Sequence, residues 1–566
     1  MEKNKKANLT ALRSRIFILI VFFMFTATSY AQSYFPGMYL VSFTDKNQSP
    51  YSINHPEKFL SARAIERRQK ASIPIIEQDL PANPFYIDSL VKGGATVSFV
   101  SRWLNAVLVR MDDSLKMEEL KKWSFVDSVA YLAPVKSKQK TKKSKSHAKR
   151  VETGMQNALD DIDYGASYEQ QELIGLPDLQ KMGFYGAGIQ IAVLDNGFKG
   201  MKKMSVFDDF FDNGQLLGTK EIANPTGDVF KAGSHGTYVM TMMAAFEEGF
   251  LVGTAPAASY WLIHTEDNSY EYPIEEFNWA VGAEYADSVG ADIITSSLIY
   301  STFDDTSLNH THSQLDGKTT IISRAAQTAT EKGILVFNSA GNDAQKSWHK
   351  IAFPADAKDV ITTGAVDMKG VYAPFSSLGY TVDGRVKPDI AAVGKGAQSV
   401  SINTGKIIGI NGTSFSNPTI AGAAAVLRQA NPDATTEAIR QAIRESANRY
   451  EFPDSLTGYG IPNFYLAHVL LNNNHISEIK ESEGFILMPN PYVDNVFVVF
   501  NSPDSQAVEL SVVDVSGNIV WQKTGISCSA GMNMIKITEI TGLAQGIYVV
   551  LMRIGEKSFS EKLMKR

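Results

Sequence analysis

The stretch that decides the fold is IAVLDNG, residues 191–197, an apolar run of strand length that ends in Asp195 and is followed by Asn196 and Gly197. With residues 189–194 almost continuously apolar, the pattern predicts a strand buried on both faces, as in a parallel sheet covered by helices. Similar runs at 293–294, 334–337 and 360–363 alternate with longer helical stretches from about residue 164 to 471. The class predicted for this region is α/β, a largely parallel sheet flanked by helices. Open sheets of this kind hold their chemistry at the C-terminal edges of the strands, which is where Asp195 falls. Alone, a strand-terminal Asp before Gly is also a common turn residue.

Two further segments give that carboxylate possible partners. In Gly233-Ser234-His235-Gly236-Thr237 two glycines flank one imidazole at the start of an apolar helical run, so backbone can pass close by and the ring stays accessible. Asn411-Gly412-Thr413-Ser414-Phe415-Ser416-Asn417-Pro418 leads into a helix rich in alanine and glycine. A serine at a helix start is often only a cap, but the dipole there also favours negative charge developing near Ser414. A hydroxyl becomes nucleophilic at neutral pH when a base takes its proton, and an imidazole needs a carboxylate to fix its tautomer. Asn338-Ser339-Ala340-Gly341-Asn342-Asp343, after the strand at 334–337, adds Asn342 as a candidate donor to an oxyanion.

Composition bounds what surrounds this set. The chain has 566 residues, a formal net charge of −6 and 44% hydrophobic residues, which fits several globular domains and gives no whole-chain basic field for nucleic acid. Cys528 is the single cysteine, so no internal disulfide or thiolate zinc site is expected, and it reads as a small buried side chain. Lys3, Lys5, Lys6, Arg13 and Arg15 precede an apolar run at 16–25, and Ser29-Tyr30-Ala31 supplies small residues. Ten apolar residues make a helix of only about 15 Å, so residues 1–31 are read as a signal peptide cleaved after Ala31 rather than an anchor. Residues 32–135 mix short alternating runs with charged helical stretches and read as a small α+β domain. Residues 136–163 open with KSKQKTKKSKSHAKR, which carries eight lysines and arginines and no acid, and read as an extended, protease-accessible linker. The candidate catalytic domain is 164–471. After polar residues 472–483, the segment 484–566 has strand-like runs at 496–500, 508–515, 519–522 and 547–552, with a turn at Ser516-Gly517-Asn518, and reads as an all-β sandwich.

Taken together, Asp195-Asn196-Gly197, His235-Gly236-Thr237, Ala340-Gly341-Asn342 and Gly412-Thr413-Ser414 resemble, in this order, the motifs of the subtilisin-like serine peptidases. The resemblance implies that Asp195 orients His235, that His235 is general base and then acid, that Ser414 attacks the scissile carbonyl, and that Asn342 with the Ser414 N–H binds the oxyanion. It also implies that Ser297, Leu298, Ile299, Ser339, Ala340 and Gly341 bind substrate. Departures from the family pattern are Asn196, Thr419, and Ile299-Tyr300 where glycines are usual. Ile299 and Tyr300 are expected to narrow the pocket for the P1 side chain and favour small or unusual P1 residues. By the same resemblance, residues 32–135 are placed like a propeptide that chaperones and inhibits. The tail, with Met488-Pro489-Asn490-Pro491 and terminal lysines, resembles the type IX sorting domains of Bacteroidota. The expected protein is a secreted or cell-surface serine endopeptidase made as a zymogen. Its expected partners are peptide substrates, its own propeptide and the type IX secretion machinery. No cofactor is implied, and no Asp-x-Asp-x-Asp-Gly calcium loop is present. Two rivals are an α/β-hydrolase esterase and a non-catalytic adhesin on the same scaffold. The first is disfavoured by the chain order Asp, His, Ser and the lack of Gly-x-Ser-x-Gly around Ser414, the second by the intact set of residues.

Overall fold

A computed structural model describes residues 37–135, 162–472 and 484–566; the signal peptide and most of the basic linker read from the sequence lie outside the described residues. The N-terminal unit is an antiparallel sheet in the order β2-β3-β1-β4, built from β1 (Gly37–Phe43), β2 (Thr96–Ser101), β3 (Ala106–Met111) and β4 (Val126–Pro134). Its period-two alternation divides the strands between two cores. Tyr39, Val41, Val107 and Val109 face the unit's own helices, whereas Leu40, Ala106 and Leu108 face the neighbouring domain.

That neighbour is an eight-stranded sheet in the order β14-β13-β12-β11-β10-β5-β9-β6. Its strands are β5 (Gln190–Asp195), β6 (Leu216–Glu221), β9 (Ser259–His264), β10 (Ile293–Ser296), β11 (Leu335–Ser339), β12 (Ile361–Asp367), β13 (Ile390–Val400) and β14 (Ile407–Asn411), with a two-residue hairpin β7 (Phe246–Glu247) and β8 (Leu251–Val252) outside it. Every pairing among these eight is parallel except β13 with β14. Ile191 and Val193 enter one core and Ala192 and Leu194 the other, so helices cover both faces, as the sequence predicts. The helix Thr413–Ala430 runs against the sheet and buries Ile420, Ala421 and Ala423 to Leu427. Its small residues are required there, since a Cβ at Gly422 would run into Thr254.

The C-terminal unit is two antiparallel sheets, β15-β16-β19 and β18-β17-β20-β21. These strands are β15 (Phe485–Met488), β16 (Val496–Ser502), β17 (Gln506–Val513), β18 (Ile519–Cys528), β19 (Gly531–Ile537), β20 (Gly546–Ile554) and β21 (Lys557–Lys565). Val496, Val498 and Phe500 fill the space between the sheets, and Cys528 is a buried free thiol. Phe497 and Val499 point the other way into the core of the central domain, where Phe497 stacks on Tyr465 with ring centroids 4.4 Å apart. No helix among the described residues is long and apolar enough to cross a membrane.

Candidate active site

Asp195 ends β5 and is fully buried, and the helix His235–Met243 starts with the histidine. The two segments fit because both are thin. A Cβ at Gly233 would strike the Asn196 side chain, and one at Gly236 would meet Gly197 O at 2.7 Å. Asn196 Oδ1 accepts the His235 backbone N–H at 3.2 Å, so this departure from the resembled motif satisfies the first free N–H of the histidine helix.

His235 Nδ1 lies 2.9 Å and 3.1 Å from the two Asp195 carboxylate oxygens. Donation from Nδ1 leaves Nε2 as the acceptor on a ring that keeps 29% of its surface exposed. Burial lowers the imidazole pKa, but the charge and hydrogen bond of Asp195, helped by the charge of Glu266, outweigh it and set the pKa above the usual histidine value.

Ser414 sits in the first turn of its helix, beside Gly412, whose φ of 151° favours glycine. Four residues on, Pro418 has no N–H to give to the Ser414 carbonyl, and Ser297 Oγ donates to that carbonyl instead at 3.0 Å. Asn417 Nδ2 donates to Thr295 Oγ1 at 3.1 Å and Ser296 O at 3.0 Å, so the serine turn is pinned to the end of β10. Among the described residues Ser414 Oγ and His235 Nε2 share no hydrogen bond. The imidazole stands beside the adjacent Phe415, with ring centroids 5.9 Å apart. Such contacts commonly tighten only when substrate binds.

Asn342 Oδ1 accepts from Thr413 N at 2.9 Å and Thr413 Oγ1 at 3.1 Å. With its oxygen held, the Asn342 Nδ2 amide is left to donate elsewhere, next to the serine turn. The segments at 297–299 and 339–341 follow β10 and β11, which are adjacent, and Asn338 Nδ2 ties them by donating to Leu298 O at 3.2 Å. A Cβ at Gly341 would lie only 2.7 Å from Ile299 Cδ1, so the Ile299 side chain does close on this space. Tyr300 does not. It is almost fully buried, is bonded through its backbone to Phe353, and its hydroxyl donates to Glu266 Oε2 at 3.1 Å. With its ring almost fully buried and its hydroxyl taken up by Glu266, Tyr300 does not supply the narrowing expected of it from the sequence. Glu266 itself was not singled out in the sequence, since its link to Tyr300 spans 34 residues with no local motif. No group of three or more His, Cys, Asp or Glu among the described residues is placed to hold a metal ion.

Residues 186–460 match the Subtilase family model, residues 38–149 the Peptidase S8 propeptide domain of Bacteroidota, and residues 487–566 the secretion system C-terminal sorting domain. Subtilisin NAT from Bacillus subtilis subsp. natto is 27% identical over 333 residues, covering 58% of this chain and 77% of the relative. Subtilisin from Bacillus pumilus is 28% identical over 291 residues, covering 50% of this chain and 91% of the relative. Among solved structures, fervidolysin from Fervidobacterium pennivorans aligns at TM-score 0.53 and 19% identity over 92% of this chain and 71% of that one. The epidermin leader peptide processing protease from Staphylococcus aureus aligns at TM-score 0.52 and 16% identity over 77% of this chain and 99% of that one. These two structures share the fold. The sorting domain marks the protein for export, to the cell surface or the medium.

Proposed function

We propose that this chain, a subtilisin-like serine peptidase whose residues 186–460 belong to the subtilase family, hydrolyses peptide bonds with Asp195, His235, Ser414 and Asn342. The observation that carries the reading is the bidentate approach of Asp195 to His235 Nδ1, which leaves Nε2 to act as a base on a ring that stands beside Phe415, the neighbour of Ser414. His235 Nε2 takes the hydroxyl proton as Ser414 Oγ bonds to the scissile carbonyl carbon. The carbonyl oxygen becomes an anion, held by Asn342 Nδ2 and the Ser414 N–H. The imidazolium then gives its proton to the leaving amine as the C–N bond breaks. Water, deprotonated by the same nitrogen, releases the acyl group and restores Ser414. Ile299 against Gly341 supports a preference for small or unusual P1 residues over large aromatic ones.

The division into signal peptide 1–31, propeptide 32–135, linker 136–163, peptidase 164–471 and sorting domain 484–566 belongs to the same proposal, with maturation within the linker. A fluorophosphonate probe followed by peptide mass spectrometry tests it. The secreted protein should carry the label on Ser414 and cut a peptide library after small or unusual residues, and strong cleavage after Phe or Tyr would count against the P1 preference. Ser414→Ala should take no label and accumulate unprocessed. An unlabelled Ser414 in the wild-type protein, as in an adhesin, or cleavage of esters without peptides, rejects the proposal.

A further inference from the structure

Beside the Asp195–His235 pair stands a carboxylate that the reaction scheme does not use. β9 and β5 are parallel neighbours with His264 paired to Asp195, and Thr265 N donates to Asp195 O at 3.1 Å. The next residue, Glu266, therefore leaves the sheet at the same edge as Asp195. Its Oε2 is held by the Tyr300 hydroxyl at 3.1 Å, and Tyr300 is itself fixed by Tyr300 N to Phe353 O at 2.9 Å and Phe353 N to Tyr300 O at 3.2 Å. Oε1 of Glu266 accepts no hydrogen bond among the described residues, and the side chain is only partly buried.

The surroundings of Glu266 are rich in negative charge. Burial and the charge of Asp195 raise the Glu266 pKa against the opposing influence of His235 and His264, while burial and the charge of Glu266 raise those of Glu271 and Glu275, with Glu271 adding to Glu275. His264 is already engaged by Glu221 at 2.7 Å. Asp304 and Glu276 add charge at Glu271, and Asp267 sits against Glu275, donating its N–H to Glu275 Oε1 at 2.8 Å. Glu275 is fully buried, and its Oε2 has no hydrogen-bond partner among the described residues. No lysine or arginine figures among the charges that weigh most on Glu266, Glu271 or Glu275. Carboxylates gathered in a partly desolvated site need a cation to ionise together. They do not form a metal-ligand cluster.

We propose that Glu266 sets the specificity of this site by receiving the ammonium or guanidinium of a lysine or arginine in the bound peptide. The inference rests on the peptidase reading above. The P1 pocket lies between the ends of β10 and β11, whereas Glu266 follows β9 on the far side of β5. The cationic residue is accordingly a neighbour of P1 and not P1 itself. The chain carries a peptide of this chemistry in residues 136–150, with eight lysines and arginines directly after the N-terminal unit. The match to the propeptide family ends within it, at residue 149.

The test uses the secreted protein and pairs of fluorogenic peptides that differ by one Lys→Ala change beside the cleaved bond. In the wild type the lysine peptide should be favoured roughly ten- to a hundredfold in kcat/KM above pH 8, the range of a charge-assisted hydrogen bond. Glu266→Gln should bring the ratio near one. Should that variant fail to fold, the wild type still decides, because the preference should fade as pH falls through about 7, where Glu266 takes up a proton. A wild-type ratio near one above pH 8, a ratio that ignores pH, or a preference kept by Glu266→Gln overturns the inference. If Ser414 labels with the fluorophosphonate and the paired peptides are cut equally, the inference alone falls. If Ser414 stays unlabelled and neither peptide is cut, the peptidase reading falls and takes the inference with it.

Discussion

At His235 burial and charge act in opposite directions, and charge wins. The pKa stands above the ordinary histidine value, held there mainly by Asp195. In the proposed mechanism His235 must be neutral to take the Ser414 proton, so kcat/KM should fall on acidification with a midpoint above about 6.5. Asp195→Asn removes the main stabiliser of the imidazolium, so the midpoint should move down while kcat drops by roughly 10⁴-fold, as for the equivalent change in other triads. A pH–rate profile checks both, and an upward move of the midpoint in the variant would contradict the roles given to the pair. At this scale the strand-end and helix-start positions of Asp195, His235 and Ser414 were legible because each is marked by a short local pattern. The pairing of Tyr300 with Glu266, the bond from His235 N to Asn196 and the exchange of Pro418's missing N–H for Ser297 Oγ were not. Their partners lie 34, 39 and 117 residues apart, and only the fold brings them together.

The helix Ile274–Val289 shows the same division between what sequence carries and what packing adds. One side of it lies in the core under β5, and Asp287 and Glu284 meet the N-terminal unit. Asp287, fully buried, receives Arg67 Nη2 at 2.5 Å, Arg68 Nη2 at 2.7 Å and Arg102 Nη2 at 2.5 Å. Glu284 accepts the N–H groups of Arg102 at 2.9 Å and Trp103 at 3.3 Å. Removing one partner from a buried charge cluster leaves the others uncompensated and typically costs about 3–5 kcal/mol. Asp287→Asn, placed in a Ser414→Ala background to keep the chain whole, should lower zymogen stability by about that much in denaturant unfolding; an unchanged midpoint would show the cluster to be dispensable. The strands at 189–194, 293–294, 334–337 and 360–363 were legible from their apolar runs. β13 was missed, since Ala391, Ala392, Gly394 and Gly396 give it little of the bulk that marks a strand, yet Ile390 to Val393 are buried between neighbours.

Across the whole chain, the three units are joined by contacts of different character. The C-terminal sandwich is fastened by Phe497 and Val499 and by Lys536 Nζ on Asp178 at 2.5 Å. Burial of the two apolar side chains contributes about 1.5–3 kcal/mol each. Deleting residues 484–566 should therefore lower the unfolding temperature of the remainder as well as trap it in the periplasm. Normal export of the truncated chain would reject the sorting role, and an unchanged unfolding temperature would reject the bracing one. The N-terminal unit is fastened by guanidinium groups sunk beside carboxylates, together with Leu40 and Leu108. Counter-ions screen buried pairs weakly, so ionic strength has little purchase on this junction. Severing the connecting peptide and letting go of the severed piece are consequently separate events: scission removes a covalent tether but leaves the arginine grip intact, and latency should outlast the cut until the detached fragment is itself unfolded or digested.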